Sequence, residues 1–187
     1  MLGAGAVVCV SVAAAQSGGA VLYGDSFLLS GDVEESGAGV VVVVVARPHG
    51  SGRFREVARV RTASGGTWRY NARPAIRTVY RARADDVLSD PVAVDVEPRL
   101  VLRGTRGRFT ASVRAARSFA GRFVLLQRRR GGPWGNVRRL VLDRRSSTRF
   151  SYLPPVGRTE IRLLMPRSQV GPGYVAARSD IIRLTIR

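Results

Sequence analysis

The sequence predicts an all-β chain of two tandem antiparallel β-sandwiches, on three observations: an internal repeat, a two-residue apolar period, and chain breakers at turn-like intervals. The repeat places Phe27-Leu28-Leu29-Ser30-Gly31-Asp32-Val33 on Phe109-Thr110-Ala111-Ser112-Val113-Arg114-Ala115, 82 positions on. The same displacement puts Gly39 and the valines after it on Gly121-Arg122-Phe123-Val124-Leu125-Leu126, and Trp68-Arg69-Tyr70 on Phe150-Ser151-Tyr152. Phe54 falls on Trp134, and Thr78-Val79-Tyr80-Arg81 on Thr159-Glu160-Ile161-Arg162, within a residue or two. Val92-Ala93-Val94-Asp95-Val96 meets Ile182-Arg183-Leu184-Thr185-Ile186 after an insertion around Gly171-Pro172-Gly173-Tyr174. Two units follow, residues 20–97 and 98–187, with a junction near Glu97-Pro98.

Within each unit the period is that of half-buried strands. Arg59-Val60-Arg61-Thr62, Val79 to Ala84, Val92 to Val96 and Arg183 to Ile186 alternate apolar and polar side chains. Breakers separate the runs at Pro48-His49-Gly50, Ser64-Gly65-Gly66, Arg73-Pro74, Gly131-Gly132-Pro133, Pro154-Pro155 and Gly171-Pro172. About seven short strands per unit result, and no apolar stripe of helical spacing appears after the first 15 residues. Val40 to Val45 is too short to span a bilayer and reads as a central strand, its second face covered by neighbouring loops or by an interdomain or dimer contact. Trp68 and Trp134 could stack sugars or bases, but their repeat partners are aromatic too, which favours packing.

The order Gly39, six valines, Ala46-Arg47, a loop, Phe54 to Tyr70, Thr78-Val79-Tyr80-Arg81 and a closing Val-x-Val-x-Val resembles the immunoglobulin-like modules of secreted proteins from high-GC Gram-positive bacteria. The resemblance implies immunoglobulin-like, fibronectin III-like sandwiches in an extracellular setting, and no activity. Residues 98–187 depart from it where Arg145-Ser146 replaces Gly65-Gly66 and Ile161 replaces Tyr80.

Residues 1–15 are apolar without a break and end in Ala13-Ala14-Ala15, which reads as a secretory signal peptide. No basic residue precedes the run, compatible with a start upstream of Met1. A lipoprotein box at Cys9 is disfavoured because Val8 is not small. Cys9 is the single cysteine, so a chain cleaved after residue 15 forms no disulfide. With only His49 beside it, zinc or copper sites of the Cys/His type are excluded, and no cofactor is expected.

All 31 basic residues are Arg, a composition that a GC-rich genome also produces. The distribution is more informative. Residues 20–97 hold ten Arg against ten acidic residues, whereas residues 98–187 hold 21 Arg against Asp143, Glu160 and Asp180, a net +18. Codon usage acts on both copies alike and does not remove acids from one. The densest basic cluster supplies the candidate anion-binding residues: Arg128, Arg129, Arg130 and Trp134, with Arg138, Arg139, Arg144 and Arg145 on the following hairpin. His49 in Arg47-Pro48-His49-Gly50 has no nucleophile motif nearby, and Glu34-Glu35 and Asp85-Asp86 read as solvated turns or a weak calcium site.

The expected function is therefore a non-enzymatic, secreted or cell-envelope binding or adhesion module. Its second domain would contact an anionic polysaccharide, a teichoic-type polymer or a membrane surface. A structural spacer or assembly domain is the alternative. Nucleic-acid binding stands third, without a recognition helix or RNA-binding motif to support it. The sequence names neither the ligand nor the oligomeric state.

Overall fold

The computed structural model describes residues 19–34, 36–105 and 107–186, and the backbone of 8–13. The chain divides into two compact units, Met1–Val96 and Glu97–Arg187. In the first, β1 (Val8–Ala13), β3 (Phe27–Val33) and β6 (Thr67–Ala72) form a three-stranded sheet in the order β1-β3-β6. The facing sheet runs β2 (Ala20–Leu22), β9 (Val92–Glu97), β7 (Thr78–Ala84), β4 (Val41–Pro48), β5 (Arg55–Arg61), with β8 (Val87–Leu88) beside β7. The second unit repeats the plan. There β10 (Arg99–Thr105), β11 (Arg108–Arg114) and β14 (Ser147–Ser151) face a sheet of β13 (Gly135–Val141), β12 (Phe123–Arg129), β15 (Gly157–Met165), β16 (Ala177–Arg178) and β17 (Ile182–Ile186). The strands of both units pair antiparallel, β1 with β3 and β4 with β7 in the first, β10 with β11 and β12 with β15 in the second, and each unit is an immunoglobulin-like, fibronectin III-like sandwich.

Alternation fills each interior from both sheets. Leu29, Val33, Val42, Val44, Trp68 and Val94 are buried in the first unit, where Phe27 and Tyr80 meet edge to face at 5.7 Å. In the second, Leu126, Ile161, Leu163 and Met165 are fully buried, and Phe109 stacks on Phe150 at 5.6 Å. Val43, on the outer face of β4, is also buried. Its cover differs from the loops expected: its ladder partners are Arg59 and Arg83, whose long apolar stems lie beside it.

The hydrogen-bond register corrects the repeat alignment. Val33 N–H bonds Gly66 O as Val113 N–H bonds Ser146 O, so β3 and β6 map onto β11 and β14 with a displacement of 80, not 82. Gly39 N–H bonds Thr62 O as Gly121 N–H bonds Leu142 O, which restores 82 for β4 and β12. The second unit thus inserts two residues before Gly121. Trp68 corresponds to Thr148 and Tyr70 to Phe150. Trp68 lies across from Gly31, which has no side chain, whereas Thr148 faces Ala111, so the bulk is shared differently. Ser146 takes the left-handed place of Gly66 (φ 55° against 72°), and its hydroxyl accepts Phe119 N–H at 2.8 Å from the inserted loop. A Cβ on Gly66 would strike the Val33 carbonyl.

The insertion near Gly171 contains α1 (Arg167–Val170), the one helix among the described residues. Tyr174 beyond it is buried edge to face on Phe119, with the Arg117 guanidinium over both rings. Ser89 and Ser179 then perform the same task in the two copies. Each hydroxyl accepts a backbone N–H, from Ala82 of β7 or Leu163 of β15, both at 2.9 Å, and donates to the carbonyl of the next residue.

The backbone of residues 8–13, read above as part of a leader, lies along β3 with Val8, Val10 and Val12 opposite Val33, Gly31 and Leu29. In the second unit β10 sets Leu100 and Leu102 opposite Val113 and Ala111. A chain beginning at Gln16 would leave the first unit with a two-stranded sheet. Its unfolding midpoint in calorimetry is expected to fall by at least about 4–8 °C, the equivalent of roughly 1 kcal/mol in a domain of this size. A second expected outcome concerns a lost bond. Thr78 Oγ1 donates to Ile76 O at 2.7 Å, whereas the buried hydroxyl of Thr159, its counterpart in the second unit, has no partner among the described residues. Thr159→Val is expected to stabilise its unit, and Thr78→Val to destabilise the other, each by about 1 kcal/mol in urea unfolding of the full chain.

Candidate functional site

The outer face of the β13-β12-β15-β17 sheet gathers the basic residues of the second unit. Because directly paired residues share a face, the registers arrange them in transverse rows about 6.7 Å apart along the strands. One row is Arg129, Glu160 and Arg183. The next is Asn136, Gln127 and Arg162. A third is Arg139, Leu125, Leu164 and Arg178.

In the first row Glu160 is the hub: Arg129 Nε bonds Oε2 and Arg183 Nε bonds Oε1 at 3.0 Å. The hydrogen bond from Arg129 is the largest cause holding the Glu160 carboxyl below its usual range, with Arg183 adding to it against a smaller opposing effect of burial. In the second row Gln127 donates to Asn136 Oδ1 and accepts Arg162 Nε, both at 2.9 Å. Burial, then the like charges of Arg178 and Arg129, lower the pKa of Arg162. Trp134 folds back from the β12–β13 hairpin onto these rows, with Arg129 Cζ 4.9 Å and Arg162 Cζ 4.0 Å from its ring centroid. Arg139 Cζ lies 3.7 Å from the Phe123 centroid.

The same hairpin in the first unit shows which of these features belong to the fold. Arg47 lies 4.8 Å over Phe54, at the positions of Arg129 and Trp134, in a unit with no net charge. Arg47 and Phe54 show that the Arg–aromatic stack is a packing element of both copies. Val45 stands where Gln127 does, and Arg81, the counterpart of Arg162, has a buried Nε without a hydrogen-bond partner among the described residues. Arg77 pairs with Asp95 at 3.2 Å, but at the matching positions Arg158 faces Thr185, which carries no charge. Arg183 stands where the first unit has Ala93.

The eight residues singled out in the sequence are thereby divided. Arg129, Trp134 and Arg139 share the outer face. Arg138 pairs with Leu126 on the opposite side and reaches Ser151 O in the other sheet at 3.5 Å, because neighbours on a strand point apart. Arg128 is half-buried opposite Ile161, and Arg130 Nη2 donates to Val156 O at 2.9 Å. Arg144 and Arg145 sit on the turn that Asp143 Oδ1 caps, at the far end of β13 from the hairpin, about 23 Å for seven residues. The structure adds Arg158, Arg162, Arg178 and Arg183. Their alternation in Arg158-Thr159-Glu160-Ile161-Arg162 was visible, but their pairing with β12 was not.

A groove of about 720 Å3 opens between the hairpin and the β15–β17 pair, lined by Arg129, Arg130, Gly131, Arg158, Glu160 and Arg183 among others. Its counterpart in the first unit is about 340 Å3, lined by Arg47, Pro48, His49, Gly50 and Arg77 among others. His49 is exposed there. Glu34, Asp85 and Asp86 are exposed, Glu35 lies outside the described residues, and no group of three metal-ligating side chains occurs among the described residues. No described helix is long and apolar enough to cross a membrane.

No family model matches the chain, and no curated protein matches it in sequence. Among solved structures it is similar to a tetra-tandem repeat from the extending region of a large adhesion protein, at 11% identity and a TM-score of 0.40, over 96% of this chain and 49% of that one. It is also similar to a two-domain fibronectin type III segment of chicken tenascin, at 14% identity and a TM-score of 0.41, over 85% and 91% of the two chains. The chain spans about half the length of the first of these. Likeness of this degree says nothing of what the chain binds.

The lowered Glu160 pKa fixes the sign of an acid effect. A carboxyl depressed in the folded state stabilises above its ordinary range, and the contribution is lost as pH falls through the folded value. The difference in unfolding midpoint between the natural chain and Glu160→Gln is expected to be present at pH 7 and to close below about pH 4.

Proposed function

We propose that the chain is a non-catalytic extracellular or cell-envelope adhesion module, with the first unit as a neutral scaffold and the second as the part that docks on an anionic polymer. The observation that carries the proposal is the loss of acidic partners between two copies of one fold. Thr185 replaces Asp95 opposite an arginine, and residues 98–187 keep three acids against 21 Arg. Repulsion among guanidiniums on one small sandwich is unfavourable, and an anionic partner relieves it.

A spacer or assembly role is the second reading, favoured by the Arg47–Phe54 and Arg129–Trp134 stacks, which show arginine serving as packing material. The two readings separate on retention of the two units, each of which has its own core. Residues 97–187 are expected to bind a sulfated or carboxylated polysaccharide resin and to elute progressively earlier as salt rises, while residues 1–96 flow through. Equal retention of both halves would favour the spacer.

A further inference from the structure

The groove beside Glu160, a residue that stands where the first unit has Val79, differs from its counterpart there at several charged positions. Arg130 stands for Pro48, Arg183 for Ala93, and Thr185 for Asp95, whereas Arg129 and Arg158 match Arg47 and Arg77. In the first unit the carboxylate beside Arg77, Asp95, pairs with it at 3.2 Å. In the second, Glu160 ties Arg129 and Arg183, and the Arg158 guanidinium has no carboxylate partner among the described residues. Four arginines and one glutamate leave the groove at +3.

The remaining geometry is that of a receptor. Arg130 is held by the Val156 carbonyl, which accepts its Nη2 at 2.9 Å. The volume, about 720 Å3, exceeds what a lone inorganic anion needs and lies within the range of small-ligand pockets. Carboxylate, sulfate ester and phosphate oxygens present the same acceptor chemistry to two guanidiniums.

We infer that this groove is a subsite for one sugar unit of an anionic polysaccharide, its charged substituent held between Arg130 and Arg158, with Arg129 and Arg183 engaged by Glu160. The inference rests on the reading of the second unit as a polyanion-docking domain and names its place of contact. Glu160 acts in the groove as a competing internal anion, so its removal strengthens binding. The first unit, with Asp95 opposite Arg77, is the form of the same groove that refuses the ligand.

The test uses the full chain and three probes: heparin for sulfate, polygalacturonate for carboxylate, and polyphosphate as a polyanion without sugar. Arg158→Gln and Thr185→Asp, which restores the first unit's arrangement, are each expected to weaken binding of a polysaccharide by about tenfold at 150 mM salt. Arg144→Gln and Arg145→Gln, with the same charge change at the far end of β13, are expected to weaken it by no more than about twofold. Glu160→Gln is expected to tighten binding several-fold, and Asp180→Asn to leave it nearly unchanged. Thermal midpoints of the variants separate unfolding from lost contact, and the two groove variants, one removing a base and one adding an acid, guard each other. If no probe binds the natural chain, the docking function itself fails. If a probe binds but groove and turn variants weaken it equally, the docking stands and the groove is overturned. Groove-dependent binding confined to polyphosphate would overturn the sugar unit.

Discussion

The structure of both units depends on the bulge that the central strand imposes on its edge neighbour. Between Val44 and Val45, and again between Leu126 and Gln127, the partner strand carries one extra residue, Val57 in β5 and Val137 in β13. A bulge increases the local twist and breaks the regular pattern of an exposed edge. It also resets which side chains face out, so that Asn136 joins the Gln127 and Arg162 row while Arg138 turns toward the other sheet. The hairpin beyond the bulge then folds Trp134 or Phe54 onto the outgoing arginine.

On this frame the two copies have used the outer face differently. In the first, opposite charges lie side by side: Arg59 with Glu56, Arg77 with Asp95. These pairs are exposed and contribute little stability, but they leave the surface neutral. In the second, Gln127 stands where the first unit has Val45 and accepts the Nε of the half-buried Arg162, which lies against Trp134 with a pKa lowered by burial and its neighbours. Positive charge on this face is thus supported by neutral hydrogen-bond acceptors and aromatic rings, which fix guanidiniums without cancelling them. Glu160 is the exception, and it stands at the edge of the groove.

The inner faces show why the repeat was easier to detect than to align. Both copies fill the same sandwich interior, so large residues recur, but not at identical positions. Trp68 opposite Gly31 becomes Thr148 opposite Ala111, and Tyr70 opposite Leu29 becomes Phe150 opposite Phe109. Matching aromatic to aromatic along the sequence therefore gives 82 where the ladders give 80. Two residues inserted ahead of Gly121 and two removed from the β12–β13 hairpin restore the phase, and neither change breaks a strand.

The sequence by itself determined the fold class, the duplication and the unequal charge. Alternation, turn residues and net charge are local or additive, and each can be counted along the chain. It also marked Arg129, Trp134 and Arg139, because the hairpin holding them is short and local. What only the tertiary structure decided is the company these residues keep. Arg158, Arg162, Arg178 and Arg183 reach the same face through ladders between strands 30 or more residues apart from β12, and Arg138, Arg144 and Arg145 leave it because strand alternation and turn position carry them elsewhere. The segment 8–13 makes the same point at the other end of the chain. A run of small apolar residues suits a leader and a sandwich strand equally, and only the register against Leu29 and Val33 assigns it a place beside β3.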